Sequence, residues 1–142
     1  LEMVFQPLNE PGTDTLVASV SSPMYNPATA FLTIGNGRFD TPAGWPSSSM
    51  HVGDSAQVTI YARDPNQGIR NVAAATDLTL TAGPNVSFLS GGANSQIITT
   101  ATIPADAQSV TVYLKAYAAG TVSPSISATN YTTYTSSVTV IP

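Results

Sequence analysis

Residues 109–117 read Ser-Val-Thr-Val-Tyr-Leu-Lys-Ala-Tyr, and this stretch decides the fold. Apolar side chains alternate with polar or aromatic ones, which places four of them on one face of an extended chain: Val110, Val112, Leu114 and Ala116. Successive side chains of a strand point to opposite sides, so strict alternation is typical of a strand with one buried face. The stretch therefore predicts a half-buried β-strand.

Similar runs recur along the chain, with turn residues between them. They occupy residues 55–63, 77–81, 86–89, 95–103, 121–128 and 132–140. In the run 95–103, one face is predicted to carry Ile97, Thr99, Ala101 and Ile103. Many short strands separated by turns predict an all-β fold in which two antiparallel sheets stack as a sandwich.

The composition agrees with this fold and excludes several classes of partner. The chain has 19 Thr and 16 Ser, but only 8% of its residues are charged. The net charge is −4, and the four basic residues are scattered singly, at Arg38, Arg63, Arg70 and Lys115. Nucleic acid and anionic membranes require clustered positive charge, so neither is an expected partner. No apolar run approaches the roughly 20 residues that cross a bilayer, so no membrane insertion is expected.

The first 34 residues resemble the last 34. A shift of 108 residues aligns Val4 with Val112, Gly12-Thr13 with Gly120-Thr121, and Ser19 with Ser127. A shift of 106 residues then aligns Tyr25 with Tyr131, Thr29 with Thr135, and residues 32–34 with residues 138–140. Self-similarity of this kind predicts that the chain is a piece of a tandem array.

A series of short motifs follows in order from residue 52 to residue 140. The motifs are Val52-Gly53-Asp54-Ser55, Asp64-Pro65-Asn66-Gln67-Gly68, Leu78-Thr79-Leu80, Val86-Ser87-Phe88, Ile103-Pro104-Ala105-Asp106-Ala107, Gly120-Thr121 and Val138-Thr139-Val140. Their order resembles bacterial immunoglobulin-like repeats of secreted and surface proteins, over about 89 of the 142 residues. The resemblance implies an immunoglobulin-like antiparallel β-sandwich and an extracellular or cell-surface location.

Together, the repeat and the resemblance predict three parts. Residues 1–34 would be extra strands that resemble the C-terminal part of a preceding immunoglobulin-like repeat. Residues 35–52, rich in Gly, Pro and Ser, would be a linker or a long loop, and residues 53–142 would form the sandwich. The expected function is a non-catalytic structural module, namely a stalk, a spacer or a filament subunit. Its expected partners are neighbouring repeats or copies of the same chain.

Two motifs resemble catalytic or metal-binding sequences, and both have a simpler interpretation. Gly53-Asp54-Ser55-Ala56 resembles an esterase nucleophile block, but the only His is His51, too near in sequence for triad geometry. Asp64-x-Asn66-x-Gly68 resembles half of a calcium loop without its later acidic ligands. The favoured interpretation is a strand-opening turn for the first and a structural turn for the second, with a weak surface cation site as the alternative there. We expect no enzyme, catalytic residue, metal site or cofactor.

The single Trp of the chain is the best candidate for binding a ligand. Trp45 lies between Gly44 and Pro46 in the segment 35–52, and an exposed Trp on a rigid loop stacks well on a sugar ring. Phe39 and Tyr25 would extend such a surface. The alternative function is therefore a carbohydrate-binding accessory module or adhesin domain with a glycan as partner. The competing interpretation is that Trp45 packs as a plug where the N-terminal hairpin meets the following repeat.

Overall fold

The computed structural model describes residues 12–18, 28–34, 36–47, 49–92 and 94–142, the first two ranges through their backbone. Its described elements are all β-strands, which confirms the predicted all-β class. In chain order they are β1 (Gly12–Ala18), β2 (Ala28–Ile34), β3 (Gly37–Arg38), β4 (Met50–His51), β5 (Ser55–Tyr61), β6 (Thr76–Thr81), β7 (Val86–Leu89), β8 (Ile97–Ile98), β9 (Thr100–Ile103), β10 (Ser109–Ala116), β11 (Gly120–Val122), β12 (Ser125–Ser127), β13 (Tyr131–Thr132), β14 (Tyr134–Thr135) and β15 (Val138–Ile141). The described part of the chain has no helix with the length and hydropathy to span a bilayer.

The first layer of the sandwich is a four-stranded sheet in the order β5-β10-β7-β8. Strand β10, predicted from the opening stretch, is central and pairs antiparallel with both β5 and β7. Val112 lies opposite Val58, and Leu114 lies opposite Phe88. All four side chains are at most 1% exposed. The alternation in residues 109–117 therefore identified the buried face correctly.

The second layer is built around one long hairpin. Val122 lies opposite Val138, and Ser125, three residues after Val122, lies opposite Thr135, three residues before Val138. The register is therefore continuous, so β11 and β12 form one strand of the hairpin, and β14 and β15 form the other. The buried Pro124 separates β11 from β12, since proline has no N–H to donate to a ladder. On the other side, β12 pairs with β6, and β6 pairs with β9.

The predicted strand 95–103 is wrong as a single element. Ile97 of β8 lies opposite Leu89 in the first layer, whereas Thr100 of β9 lies opposite Thr79 in the second. The chain crosses between the layers at Thr99, whose carbonyl accepts a hydrogen bond from the Leu80 N–H at 2.8 Å. Because the two halves belong to different sheets, Ile97 is 59% exposed while Ile103 is fully buried.

The segment 36–52 is part of the packed structure. Strand β3 pairs parallel with β13, and β4 pairs parallel with β15. Ala43 and Thr59 exchange two backbone hydrogen bonds, at 3.0 and 2.9 Å. Three side chains of the segment lie in the core, namely Phe39, Trp45 and Met50. The predicted boundary at residue 53 is therefore not where the packed structure begins, because these apolar side chains are buried by the sandwich.

The chain reaches the sandwich at one end and leaves it at the other. At the first end, which we call the Gly37 end, β3 lies beside β13, and Arg38 pairs with Arg63. The strand formed by β14 and β15 starts near this end, at Tyr134, and runs to Ile141. There, at the Ile141 end, the Val52 N–H donates to the Ile141 carbonyl at 3.0 Å, and the Gly53 N–H donates to the Ala116 carbonyl at 3.0 Å.

Strands β1 and β2 form a separate antiparallel pair, and their register matches that of β11 and β15. Gly12 lies opposite Ile34, and Thr13 lies opposite Thr33. In the long hairpin of the sandwich, Gly120 lies opposite Val140, and Thr121 lies opposite Thr139. The sequence shifts of 108 and 106 residues carry the first pairs onto the second. The two hairpins thus match in strand register as well as in sequence.

Candidate functional site

A groove of about 440 Å³ lies at the Gly37 end of the sandwich. One wall comes from the chain around β3 and the other from the chain leading from β13 to β14. Its lining residues are Arg38, Phe39, Asp40, Thr41, Gln67, Thr132, Thr133, Tyr134 and Thr135. Ligand sites typically measure about 300–1,000 Å³, so a small ligand or part of a larger one would fit.

Two arginines meet on one aspartate in this region. Arg38 and Arg63 are neighbours in a short antiparallel bridge, with backbone hydrogen bonds of 3.0 and 3.2 Å. The Nε atoms of Arg38 and Arg63 lie 3.5 and 3.7 Å from the two carboxylate oxygens of Asp40. Two positive charges against one negative charge leave a local surplus of one, although the whole chain carries −4. Sequence reasoning missed this cluster, because Arg63 is distant in sequence from Arg38 and Asp40 and only the bridge brings it beside them.

The turn after Arg63 is held by a carboxylate. Asp64 Oδ1 accepts hydrogen bonds from the N–H groups of Asn66 and Gly68, at 2.9 and 2.8 Å, and Oδ2 accepts one from Arg70 Nε at 3.0 Å. The hydrogen bond from Gly68 and the positive charge of Arg70 lower the pKa of Asp64 below its ordinary value of 3.8, against a smaller opposing effect of desolvation. These contacts support the structural-turn interpretation, since both oxygens already stabilise the turn.

The aromatic side chains at the groove pack against neighbouring rings. The rings of Phe39 and Tyr131 stack with centroids 4.6 Å apart. Trp45 contacts Tyr134 edge to face at 5.3 Å and lies 6.4 Å from Phe88. Tyr134 itself is only partly buried and lines the groove. These ring contacts therefore hold Phe39 and Tyr134, two of the groove's lining residues, in place.

The expected exposure of Trp45 is wrong, because its side chain is only 7% exposed and that of Phe39 only 2%. Burial removes the open ring face on which the predicted sugar stacking depended. Trp45 packs in the core, and its described ring contacts are with Phe88 and Tyr134 of the sandwich. Tyr25 lies outside the described residues. Glycan binding by these three residues stays a prediction, and of the two that the structure describes, Phe39 lines the groove.

The loop that buries Trp45 depends on one glycine. The Trp45 N–H donates to the Pro42 carbonyl at 3.1 Å, and Gly44 between them has φ +79°, a conformation that favours glycine. A Cβ atom at Gly44 would collide with the Gln57 carbonyl oxygen. The indole Nε1 is buried and has no hydrogen-bond partner in the described part of the chain. Apolar packing therefore holds Trp45 in place.

The segment that resembles an esterase block opens a strand. The His51 N–H donates to Asp54 Oδ2 at 2.8 Å, and the Asp54 N–H donates to the His51 carbonyl at 3.0 Å. His51 Nδ1 lies 3.7 Å from the same carboxylate oxygen, and both side chains are more than half exposed. Gly53, at φ +96°, allows the reversal. The residues form the turn that leads into β5.

Comparison with solved structures identifies the sandwich fold. Over 92% of its length the chain is similar to a β-glycosidase from Bacteroides vulgatus, with 13% identity, a TM-score of 0.55 and 18% of that chain covered. A glycosyl hydrolase family 2 member from Bacteroides cellulosilyticus DSM 14838 gives 14% identity, a TM-score of 0.55, and coverage of 91% and 18%. Domains 4 and 5 of the S-layer protein SbsC give 18% identity over 91% of this chain and 66% of theirs, but with a TM-score of only 0.44.

The chain spans less than a fifth of each glycosidase, and at these identities the likeness shows the fold alone. No family model and no curated protein matches the chain.

Proposed function

We propose that this chain is a non-catalytic structural module of an extracellular or cell-surface protein, a spacer in a tandem array of immunoglobulin-like sandwiches. The observation that carries the proposal is the common register of the two hairpins. Gly12 pairs with Ile34 as Gly120 pairs with Val140, at the sequence shifts that align the two segments. Successive copies of one module would produce this agreement of sequence and pairing.

The strand order supports the immunoglobulin-like assignment. Such sandwiches place their second, fifth and fourth strands in one sheet and their third, sixth and seventh in the other. Counting from β4 and leaving out β8, β9 and β13, the first layer here is β5-β10-β7, and the second brings together β6, the strand β11–β12 and the strand β14–β15. The extracellular location rests on the sequence resemblance to repeats of secreted and surface proteins.

The path of the chain supports an end-to-end arrangement. Strand β2 ends at Ile34, three residues before Gly37, and three residues span at most about 11 Å. The hairpin β1–β2 is thereby tethered to the Gly37 end, while the long hairpin of the sandwich finishes at the Ile141 end. At about 3.3 Å per residue, the run from Tyr131 to Ile141 gives each module a length on the order of 30 Å.

The outward faces of the sandwich suit a module that remains soluble with few charges. Thr59 and Thr111 lie across from each other with hydroxyl oxygens 3.1 Å apart, and Thr121 and Thr139 repeat the arrangement at 3.3 Å. Cross-strand threonine pairs favour the extended chain and present hydroxyls to water. Such a hydroxyl-rich surface is sufficient for a spacer, which has to stay hydrated but need not bind a ligand.

Amide hydrogen exchange of the full chain tests the proposal. If β1–β2 is the closing hairpin of another module, it lacks its covering strands in the isolated chain and should be marginally stable. We expect the amides of Thr13 and Thr33 to exchange at least 100-fold faster than those of the matched residues Thr121 and Thr139. Equal protection of the two hairpins would mean that β1–β2 packs within its own chain, and the proposal would fail.

Light scattering then distinguishes between the two kinds of partner. A monomer of 14.6 kDa is expected if the neighbouring module belongs to the same polypeptide. A polymer that lengthens with concentration would mean that copies of this chain complete one another, which would replace the covalent array with a head-to-tail fibre.

A further inference from the structure

We propose that the groove at the Gly37 end binds a carboxylate-bearing saccharide. This goes beyond the spacer role, because it assigns a ligand to a surface that a pure spacer would not need. The site is also distinct from the exposed Trp45 surface expected from the sequence, since Trp45 is buried and does not line the groove. The charge, the polar lining and the rigidity of the groove all favour such a ligand.

The groove lies beside a surplus of positive charge, which would attract a ligand carboxylate. Arg38 lines the groove, its side chain is 42% exposed, and its shortest contact with Asp40 is through Nε at 3.5 Å. A guanidinium has five N–H donors in a planar fork, so the four on its terminal nitrogens can engage a ligand carboxylate in a bidentate pair. Arg63 adds a second positive charge beside Asp40 and donates from Nη1 to the Gln67 carbonyl at 2.8 Å.

The polar lining suits a polyhydroxylated ligand. One wall is formed by Thr132, Thr133 and Thr135, whose hydroxyl groups are each both a donor and an acceptor. The other wall carries the Asp40 carboxylate, which accepts hydrogen bonds from hydroxyls, and the turn adds the Gln67 side chain, whose amide does both. Sugars need such alternating donors and acceptors, whereas a bare anion such as phosphate would leave most of them unused.

Rigidity lowers the cost of binding. Trp45 fixes the Tyr134 ring edge to face, and Tyr131 stacks on Phe39. A groove whose walls are already ordered loses little conformational entropy when a ligand enters. Tyr134 also offers an amphipathic ring to the C–H face of a sugar. Nucleic acid is disfavoured, because one surplus charge neutralises too few phosphates.

The test is calorimetric titration of the full chain with a hexamer of α-1,4-linked galacturonate and with the methyl ester of the same hexamer. The two probes share a backbone and differ in charge, so recognition of the carboxylate predicts at least fivefold tighter binding of the acid. Arg38→Gln should weaken binding of the acid at least fivefold. Lys115→Gln, which removes the same charge from a residue outside the groove, should change it by less than twofold.

A second variant keeps the test independent of any loss of folding. Gln67 lies at φ +70°, where glycine is favoured, and Gly retains the carbonyl that accepts from Arg63. Gln67→Gly should therefore keep the melting temperature and weaken binding of the acid at least threefold. Three results would overturn the proposal: no binding by the unaltered chain at millimolar probe, equal binding of acid and ester, or equal weakening by Lys115→Gln and Arg38→Gln.

Discussion

The ring of Phe39 stacks on the ring of Tyr131, with centroids 4.6 Å apart and planes 10° apart. One ring belongs to the segment that leads into the sandwich, and the other to β13, between the last two long strands. The contact thereby fixes the Gly37 end of the fold. It accompanies the parallel pairing of β3 with β13, in which Gly37 lies opposite Tyr131.

Loss of the Phe39 ring should destabilise the sandwich strongly. Phe39→Ala is expected to lower the free energy of unfolding by about 3–5 kcal/mol, because it empties a buried site. Tyr117 is 45% exposed, so Tyr117→Ala serves as the control and should cost less than about 1 kcal/mol. Urea unfolding followed by circular dichroism measures both. Similar losses for the two variants would contradict the burial of Phe39.

Trp45 should tolerate loss of its N–H but not loss of its ring. Trp45→Ala is expected to cost about 3–5 kcal/mol in the free energy of unfolding. Trp45→Phe should cost clearly less, because it removes the buried Nε1 that has no partner among the described residues, and an unmatched buried donor costs about 1–3 kcal/mol. Since Trp45 is the only Trp, its fluorescence reports on its burial directly. Ready quenching by acrylamide in the folded chain would contradict the structure.

The crossing at Thr99 predicts losses of stability of very different size for two isoleucines of one sequence run. Ile103→Ala should lower the free energy of unfolding by about 2–5 kcal/mol, since Ile103 is fully buried. Ile97→Ala should cost less than about 1 kcal/mol, since Ile97 is 59% exposed. The same chemical change is made at both sites and measured by urea unfolding. Equal losses in the free energy of unfolding would contradict the crossing and favour a single strand over residues 95–103.

Two glycines in left-handed conformations should differ in what they tolerate. Gly53→Ala adds a Cβ into open space, so it should cost only the conformational strain of about 1–2 kcal/mol. Gly44→Ala adds the same strain and also a collision with the Gln57 carbonyl oxygen. It should therefore cost more and make Trp45 more accessible to acrylamide. Thermal unfolding and quenching check both, and a smaller effect at Gly44 would speak against the close approach.

The Asp64 turn predicts a pH dependence of known sign. The pKa of Asp64 is lower in the folded chain than its ordinary value of 3.8, so the charged carboxylate stabilises the fold above that pH. This contribution is lost as the pH falls through the folded pKa. Asp64→Asn should thus lower the melting temperature at pH 7 and approach the unaltered chain below pH 3.8. The same change at the exposed Asp106 is the control, and a constant difference at every pH would contradict the prediction.

Local pattern was enough to predict the strands and most of the core. The alternation at Val58 and Ile60, or at Leu78 and Leu80, identifies buried faces, because a two-residue period translates directly into two sides of a strand. Pattern could not reveal the crossing at Thr99, since both halves keep the same period while they change partners. Which sheet a strand joins depends on its pairing partners in the folded chain, and this pairing does not alter the alternation of apolar and polar residues in the sequence.

The candidate site was harder to predict, because its residues are distant in sequence. Trp45 lies among Gly, Pro and Ser, a composition typical of exposed loops, yet the pairing of Ala43 with Thr59 draws it under the sheet. Arg38 and Arg63 look isolated in the sequence but are neighbours across a bridge. The Asp64 turn was the exception: its spacing to Asn66 and Gly68 identified a structural turn, since all its partners are local.

The parallel pairing of β4 with β15 has a mechanical consequence. If the chain is pulled at its two ends, the force enters at the Gly37 end and leaves at Ile141, along the direction in which these strands run side by side. Their hydrogen bonds lie across that direction and would bear the load together in shear, instead of opening one after another like a zipper. A module joined in this way would yield abruptly and at a high force.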